Sequence, residues 1–215
     1  MIETEKTFVV GDIHGCLGML TRLMEKIAWR PAEDNLIFLG DYVDRGVDPK
    51  GVVDAILELK QRSPRVQCLI GNHEELFLDF LNGGDLNTFL INGGLSTSES
   101  YALDYRSNKP QIPSEHLHFF QSLQPWIELQ GYYFVHAGFR PAVDIQRQTI
   151  EDMLWIREPF ISSDYDFGKP VIFGHTPFVE PLVKENRIGL DTGAVYGNKL
   201  TCLELPAMRF HSVEA

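Results

Sequence analysis

Nowhere in the 215 residues is there an apolar run approaching the ~20 residues that a membrane-spanning helix needs, which excludes an integral helical membrane protein. Positive charge is also scarce: 19 Lys+Arg stand against 30 Asp+Glu, a net charge of −11. So acidic a chain gains little from counterion release, so no nucleic-acid partner is expected. An anionic substrate is equally awkward unless positive charge is concentrated locally. Cysteine is limited to Cys16, Cys68 and Cys202, an odd number set far apart, which argues against a disulfide framework and for a reducing cytoplasm. Each sits in or beside an apolar run and reads as a small buried hydrophobe. Low-complexity linkers and fixed-period repeats are missing too. Residues 1–6 are polar and mixed in charge, unlike a signal peptide.

What is present is a globular composition, 44% hydrophobic and 23% charged. A length of 215 residues suits one domain over 1–215, large enough to bury roughly 70–75% of its unfolded surface. A short apolar run, rich in β-branched and aromatic residues, recurs at 7–10, 36–39, 66–70, 132–135 and 171–173. Continuous rather than alternating runs of this length predict strands buried on both faces. Helical spacing of Leu17, Leu20, Leu23, Met24 and Ile27, and of Val52, Ile56 and Leu59, places helices between the first three. Strand, helix, strand, helix, strand is the mark of a largely parallel α/β sheet. Residues 76–125 read instead as helices near 76–81, 86–91 and 114–123 broken by Gly and Pro, with 82–130 forming a helical elaboration beside the core. The last quarter, 187–190, 200–205 and 208–213, predicts short strands around a turn at Tyr196-Gly197-Asn198-Lys199.

Each of the five strong strands runs directly into metal-binding side-chain types. They are Gly11-Asp12-Ile13-His14-Gly15, Gly40-Asp41-Tyr42-Val43-Asp44-Arg45-Gly46, Gly71-Asn72-His73-Glu74, His136-Ala137-Gly138 and Gly174-His175-Thr176. In open α/β sheets ligands bind at the carboxyl ends of strands, so residues distant in sequence converge there. Four of the seven histidines hold such positions. Asp, His and Asn without thiolate favour Mn²⁺, Fe or Zn²⁺. Alone, any of these residues reads as a turn or a satisfied polar group; five motifs in order do not.

Together they resemble the metallophosphoesterases, and within them the serine/threonine protein phosphatase branch, with its compact bacterial and bacteriophage-type enzymes and the related diadenosine tetraphosphatases. The resemblance covers residues 8–205 and implies an α/β four-layer sandwich, two mixed β-sheets flanked by helices. It implies two divalent metal ions, of which Mn²⁺ is favoured. Asp12, His14 and Asp41 would hold the first; Asp41, Asn72, His136 and His175 the second. His73 would be the general acid, oriented by Asp44, and Arg45 with Arg157 would grip the phosphoryl oxygens. The chemistry is consistent: paired ions ~3.5–4 Å apart clamp both oxygens of an in-line displacement, and a carboxylate such as Asp41 can bridge them. Two ions and two arginines would also draw a phosphate dianion to an acidic protein. Arg157 rests only on its Trp155-Ile156-Arg157 setting.

The implied reaction is phosphate-ester hydrolysis by a metal-bound hydroxide, with a phosphoprotein or small phosphate ester as substrate. Diadenosine tetraphosphate is the alternative; it needs an adenine site, for which Tyr101, Tyr105, Phe139 and Tyr196 are candidates. An inactive phosphoprotein-binding module would show a broken motif, and none is broken. His116 and His118, two apart on a helix, do not face each other and read as surface or packing residues, as His211 reads as structural and Cys16 as packing at a helix start.

Overall fold

The computed structural model describes residues 5–104 and 111–215. In chain order its elements are β1 (Thr7–Val10), α1 (Leu17–Lys26), β2 (Asn35–Phe38), α2 (Pro49–Arg62), β3 (Val66–Cys68), α3 (Asn72–Leu81), α4 (Leu86–Phe89), α5 (Leu95–Ser100) and α6 (Ser114–Gln121). There follow β4 (Trp126–Leu129), β5 (Tyr132–Val135), α7 (Ile150–Trp155), α8 (Glu158–Ile161), β6 (Val171–Phe173), β7 (Leu182–Lys184), β8 (Arg187–Gly189), β9 (Lys199–Leu205) and β10 (Arg209–Glu214). None of the described helices is long and apolar enough to cross a membrane.

The strands make two mixed sheets of five, ordered β10-β9-β1-β2-β3 and β4-β5-β6-β8-β7. Parallel pairing joins β1 to β2 and β2 to β3 in one sheet, and β5 to β6 and β6 to β8 in the other; β9, β10, β4 and β7 pair antiparallel. Alternation along each strand builds the layers. Phe8, Val10, Leu36 and Phe38 face α1, α2, α3 and α6, where they meet Leu20, Leu23, Ile56, Phe77 and Phe119. Val9, Ile37 and Leu39 point the other way, onto Phe134, Ile172 and Ile188 of the second sheet. Val171 and Phe173 turn outward again to Met153 of α7 and Phe160 of α8. The result is helix, sheet, sheet, helix, the α/β four-layer arrangement that was expected. Burial on both faces is why these strands read as unbroken apolar runs, each large side chain contributing about 1.5–3 kcal/mol of transfer free energy.

Several local expectations change. Helix α3 starts at Asn72, four residues before the apolar periodicity begins, because Glu74 folds back onto the Gly71 N–H at 2.9 Å and closes the first turn. Residues 126–129, expected inside the helical elaboration, are strand β4, paired with β5 across a tight turn in which Gln130 and Gly131 have φ of 50° and 84°. Strand β7 and helices α5, α7 and α8 are not foreseen from the sequence. His116 is buried, its ring bonded to the Tyr101 hydroxyl (2.8 Å) and to Asp54 (2.9 Å), while His118 is exposed. His211 of β10 pairs with Glu204 of β9 at 2.8 Å, at the edge of the first sheet.

Candidate metal centre and active site

The parallel strands of both sheets end side by side. From their carboxyl ends emerge Asp12 and His14 after β1, Asp41, Asp44 and Arg45 after β2, Asn72 and His73 at the start of α3, His136 after β5 and His175 after β6. The convergence requires tight turns. Gly40 has φ of 105°, and a Cβ there would lie 2.7 Å from the Gly71 nitrogen and 2.9 Å from His136 Nδ1. Five of the non-glycine site residues also take left-handed backbone: His14 (47°), Asp41 (52°), Asp44 (68°), Arg45 (69°) and His175 (62°). Each such conformation costs about 1–3 kcal/mol and persists only where its surroundings enforce it.

Glu74 supplies part of that enforcement. Fully buried, its carboxylate accepts backbone N–H groups of Asp41 (2.8 Å), Tyr42 (2.8 Å) and Gly71 (2.9 Å), tying the β2 turn to the β3 turn. Burial, with the neighbouring Asp41 charge adding to it, pushes the Glu74 carboxyl up to about 8.

Among the described residues, two trios bring one donor atom each within 4.8 Å of one another: His14, Asp41 and His73, and Asp41, His136 and His175. Asp41 stands in both. Asn72 Oδ1 completes the second group, 3.0 Å from His136 Nε2 and 2.9 Å from His175 Nδ1. Asp12 is in neither trio: its Oδ2 accepts the His175 N–H at 2.9 Å, while its buried Oδ1 has no partner. His73 joins His14 and Asp41 more loosely, with Nε2 4.0 Å from Asp41 Oδ2, and its Nδ1 donates to Asp44 Oδ2 at 2.6 Å.

Whether divalent ions fit is decided by lone pairs. His136 Nδ1 donates to the Leu39 carbonyl (2.9 Å), and burial lowers the pKa of this ring, so Nε2 carries a bare lone pair. That lone pair faces Asn72 Oδ1 and, at 3.4 Å, Asp41 Oδ1, both acceptors. In His14, Nδ1 meets the Val43 carbonyl (2.8 Å) and Nε2 lies 3.3 Å from Asp41 Oδ2; burial works to lower the pKa of this ring, but the Asp41 charge and hydrogen bond outweigh it and raise it. Burial, reinforced by His136, pushes His175 down to about 2, a neutral imidazole suited to coordination. Acceptors converging on acceptors, with an orphaned Asp12 oxygen beside them, are reconciled by cations. Burial raises Asp12 well above the ordinary carboxyl range, with Asp191 and Asp41 adding to it. Asp41 is held well below that range because His136, His73 and His14 outweigh its own burial. The residues present fit a dinuclear centre.

Around the centre, Arg45 is exposed and held from two sides, its Nη1 2.6 Å from the Tyr196 hydroxyl and 3.2 Å from His14 Nε2. Arg157 lies just past α7, exposed and close enough for its charge to depress His175, while Trp155 is fixed by its indole N–H on Glu75 (2.9 Å). A 480 Å³ cleft lined by Arg45, Gly46, Val47, Ser96 and Glu99 opens beside Arg45. Of the aromatic candidates, Tyr101 and Phe139 are buried in core contacts, and Tyr105 lies outside the described residues. Tyr196 is 62% exposed, with its ring 5.6 Å from the Arg45 guanidinium carbon.

Besides Glu74, which the sequence places in a motif without a role, two further buried polar residues at this site are left unassigned by the sequence. Asp191 follows β8 as Asp12 follows β1, buried, with Oδ1 accepting the Gly193 N–H at 2.9 Å. The strand-then-Asp pattern at Gly189-Leu190-Asp191 was the available signal. Thr97 of α5 contacts Asp44 and carried no signal in the sequence.

A sheet-end cluster of Asp, His and Asn that fits paired cations, with an arginine beside it, defines a metal-dependent phosphoesterase site. The chain belongs to the calcineurin-like phosphoesterase family, whose model matches residues 6–199, and is a metal-dependent phosphatase of that family. It is 27% identical, over 97% of its length and 92% of the relative's, to the asymmetrical bis(5'-nucleosyl)-tetraphosphatase PrpE of Oceanobacillus iheyensis. It is 32% identical to serine/threonine-protein phosphatase 1 of Salmonella typhimurium, over 90% of this chain and 89% of that one. In fold it matches the crystal structure of a candidate diadenosine tetraphosphatase with a TM-score of 0.79 at 24% identity, covering 100% of this chain and 95% of that one.

Proposed function

We propose that the protein hydrolyses phosphomonoesters of serine and threonine side chains, using Asp12, His14, Asp41, Asn72, His136 and His175 to hold two divalent ions. Mn²⁺ is the favoured ion for this N/O donor set, with Fe and Zn²⁺ next. Bound ions would supply an activated water and neutralise charge on the phosphoryl oxygens. Arg45 and Arg157 would bind those oxygens, the planar guanidinium of Arg45 being suited to a bidentate contact. His73 would give its Nε2 proton to the departing oxygen, Asp44 fixing ring and tautomer through Nδ1.

The observation that carries this reading is the 2.6 Å contact between His73 Nδ1 and Asp44 Oδ2, both side chains buried. An oriented acid gains most where the leaving group is an alkoxide, as in phosphoserine, and least where it is a nucleotide phosphate that departs as a stable anion. The second reading, hydrolysis of diadenosine tetraphosphate, is supported by the exposed Tyr196 ring beside Arg45 and by the likeness to PrpE. Turnover of a phosphoserine peptide, p-nitrophenyl phosphate and diadenosine tetraphosphate is to be measured side by side with Mn²⁺. The phosphopeptide is expected to show the highest kcat/KM; a hundredfold preference for the dinucleotide would overturn the first reading in favour of the second.

A further inference from the structure

Asp44 does not orient His73 unaided. Thr97, on α5 and fully buried, meets it twice: the Asp44 N–H donates to Thr97 Oγ1 at 2.8 Å, and the Thr97 hydroxyl donates to Asp44 Oδ1 at 2.5 Å. The second carboxylate oxygen, Oδ2, is thereby left to His73 Nδ1. One residue on, the Arg45 N–H donates to the Gly93 carbonyl at 3.1 Å. Asp44 and Arg45 are consecutive non-glycine residues in left-handed backbone, φ 68° and 69°, a pairing that loops seldom hold without outside support. Here the support comes from α5 and the segment that joins it to α4, inside the helical elaboration.

We infer that Thr97 is a positioning residue for proton donation by His73, acting through Asp44; the inference rests on the reading of His73 as the acid. The hydroxyl does two things a methyl cannot. It occupies Oδ1, so that the carboxylate presents one oxygen to the imidazole rather than rotating between two partners. It also anchors the Asp44 backbone in the conformation that aims the side chain at α3. The step served is the transfer of the Nε2 proton to the ester oxygen as its bond to phosphorus breaks. Water adds to phosphorus, the alcohol leaves protonated, and His73 recovers a proton from solvent. A ring free to swing delivers that proton poorly, and the loss grows with the basicity of the leaving oxygen.

The test uses the full chain with saturating Mn²⁺ and a series of esters running from p-nitrophenyl phosphate to an alkyl phosphate and a phosphoserine peptide. Thr97→Val keeps shape and removes the hydroxyl; Thr97→Ser keeps the hydroxyl; His73→Asn removes the acid. The expected result for Thr97→Val is a loss of about 30-fold in kcat on the phosphoserine peptide, a several-fold smaller loss on p-nitrophenyl phosphate, and KM within about threefold. Thr97→Ser should restore most of kcat, and metal content should match wild type in both. If Thr97→Val does not fold, Thr97→Ala carries the same comparison. Equal loss across the series in the Thr97 variant, alongside a graded loss in His73→Asn, overturns the positioning role while leaving the acid intact. A uniform loss in His73→Asn overturns the acid itself, and the inference with it.

Discussion

At the scale of single residues, the acidic chain offers an anion few organic cations near its centre, and Arg45 is the one held most firmly. Its N–H is bound to Gly93, its Nη1 to the Tyr196 hydroxyl, and its charge lies over the Tyr196 ring. A preorganised donor of this kind contributes about 10²-fold to turnover. Arg45→Ala is therefore expected to lower kcat/KM by about 10²-fold with metal content unchanged. Arg45→Lys should recover only part of that, because an ammonium cannot present two parallel N–H groups. Tyr196→Phe, which removes the 2.6 Å hydrogen bond but keeps the ring, should cost less than about 10-fold. Steady-state kinetics on one phosphopeptide, with metal analysis of each variant, decides the matter; a lysine variant equal to wild type would show that a point charge suffices.

Among secondary-structure elements, the turn between α4 and α5 carries more than its composition suggests. As sequence, Gly93-Gly94 marks only a helix break. In the fold Gly93 has φ of 104°, and a Cβ there would stand 2.7 Å from Arg45 Cγ. Gly93→Ala should cost about 1–2 kcal/mol of stability through the left-handed backbone alone. It should also displace Arg45 and lower kcat/KM about 10-fold, with metal content intact. Urea unfolding and kinetics measure the two effects, and unchanged values in both would mean that the turn does not clamp the loop. This is also where sequence reading met its limit. Strands β1, β2, β3, β5 and β6 were legible because burial on both faces leaves continuous apolar runs, and the candidate ligands because each follows such a run. Strands β4 and β7 lie at sheet edges with half-exposed faces, Trp126-Ile127-Glu128-Leu129 and Leu182-Val183-Lys184, so polar residues interrupt their pattern. Helix α7 has six residues, too few for a period to show. Thr97 was invisible for another reason: a hydroxyl that contacts a carboxylate 53 positions away leaves no trace in local spacing.

Across the whole molecule, the candidate ligands join the two sheets. Asp12, His14, Asp41 and Asn72 leave the first sheet and His136 and His175 the second, with an apolar core between the sheets. Without cations, the junction must bury Asp12, Asp41, Glu74 and Asp191 together, and burial lifts three of these carboxyls above their ordinary range. An ion that binds the folded chain and not the unfolded one stabilises it by about 2.7 kcal/mol at a free concentration 100 times its Kd. For a chain of this size each kcal/mol moves Tm by roughly 2–4 °C, so filling even one site should raise Tm by about 5–11 °C over chelated protein. Asp41→Asn should abolish most of that rise, since Asp41 is the donor shared by both trios and a neutral amide cannot replace its charge. Calorimetry of chelated and Mn²⁺-loaded protein, wild type and variant, measures the shift directly and needs no substrate. If the loaded wild type, with bound metal verified by elemental analysis, melts at the chelated temperature, the ions do not bridge the sheets; if Asp41→Asn keeps the full rise, Asp41 is not the shared ligand.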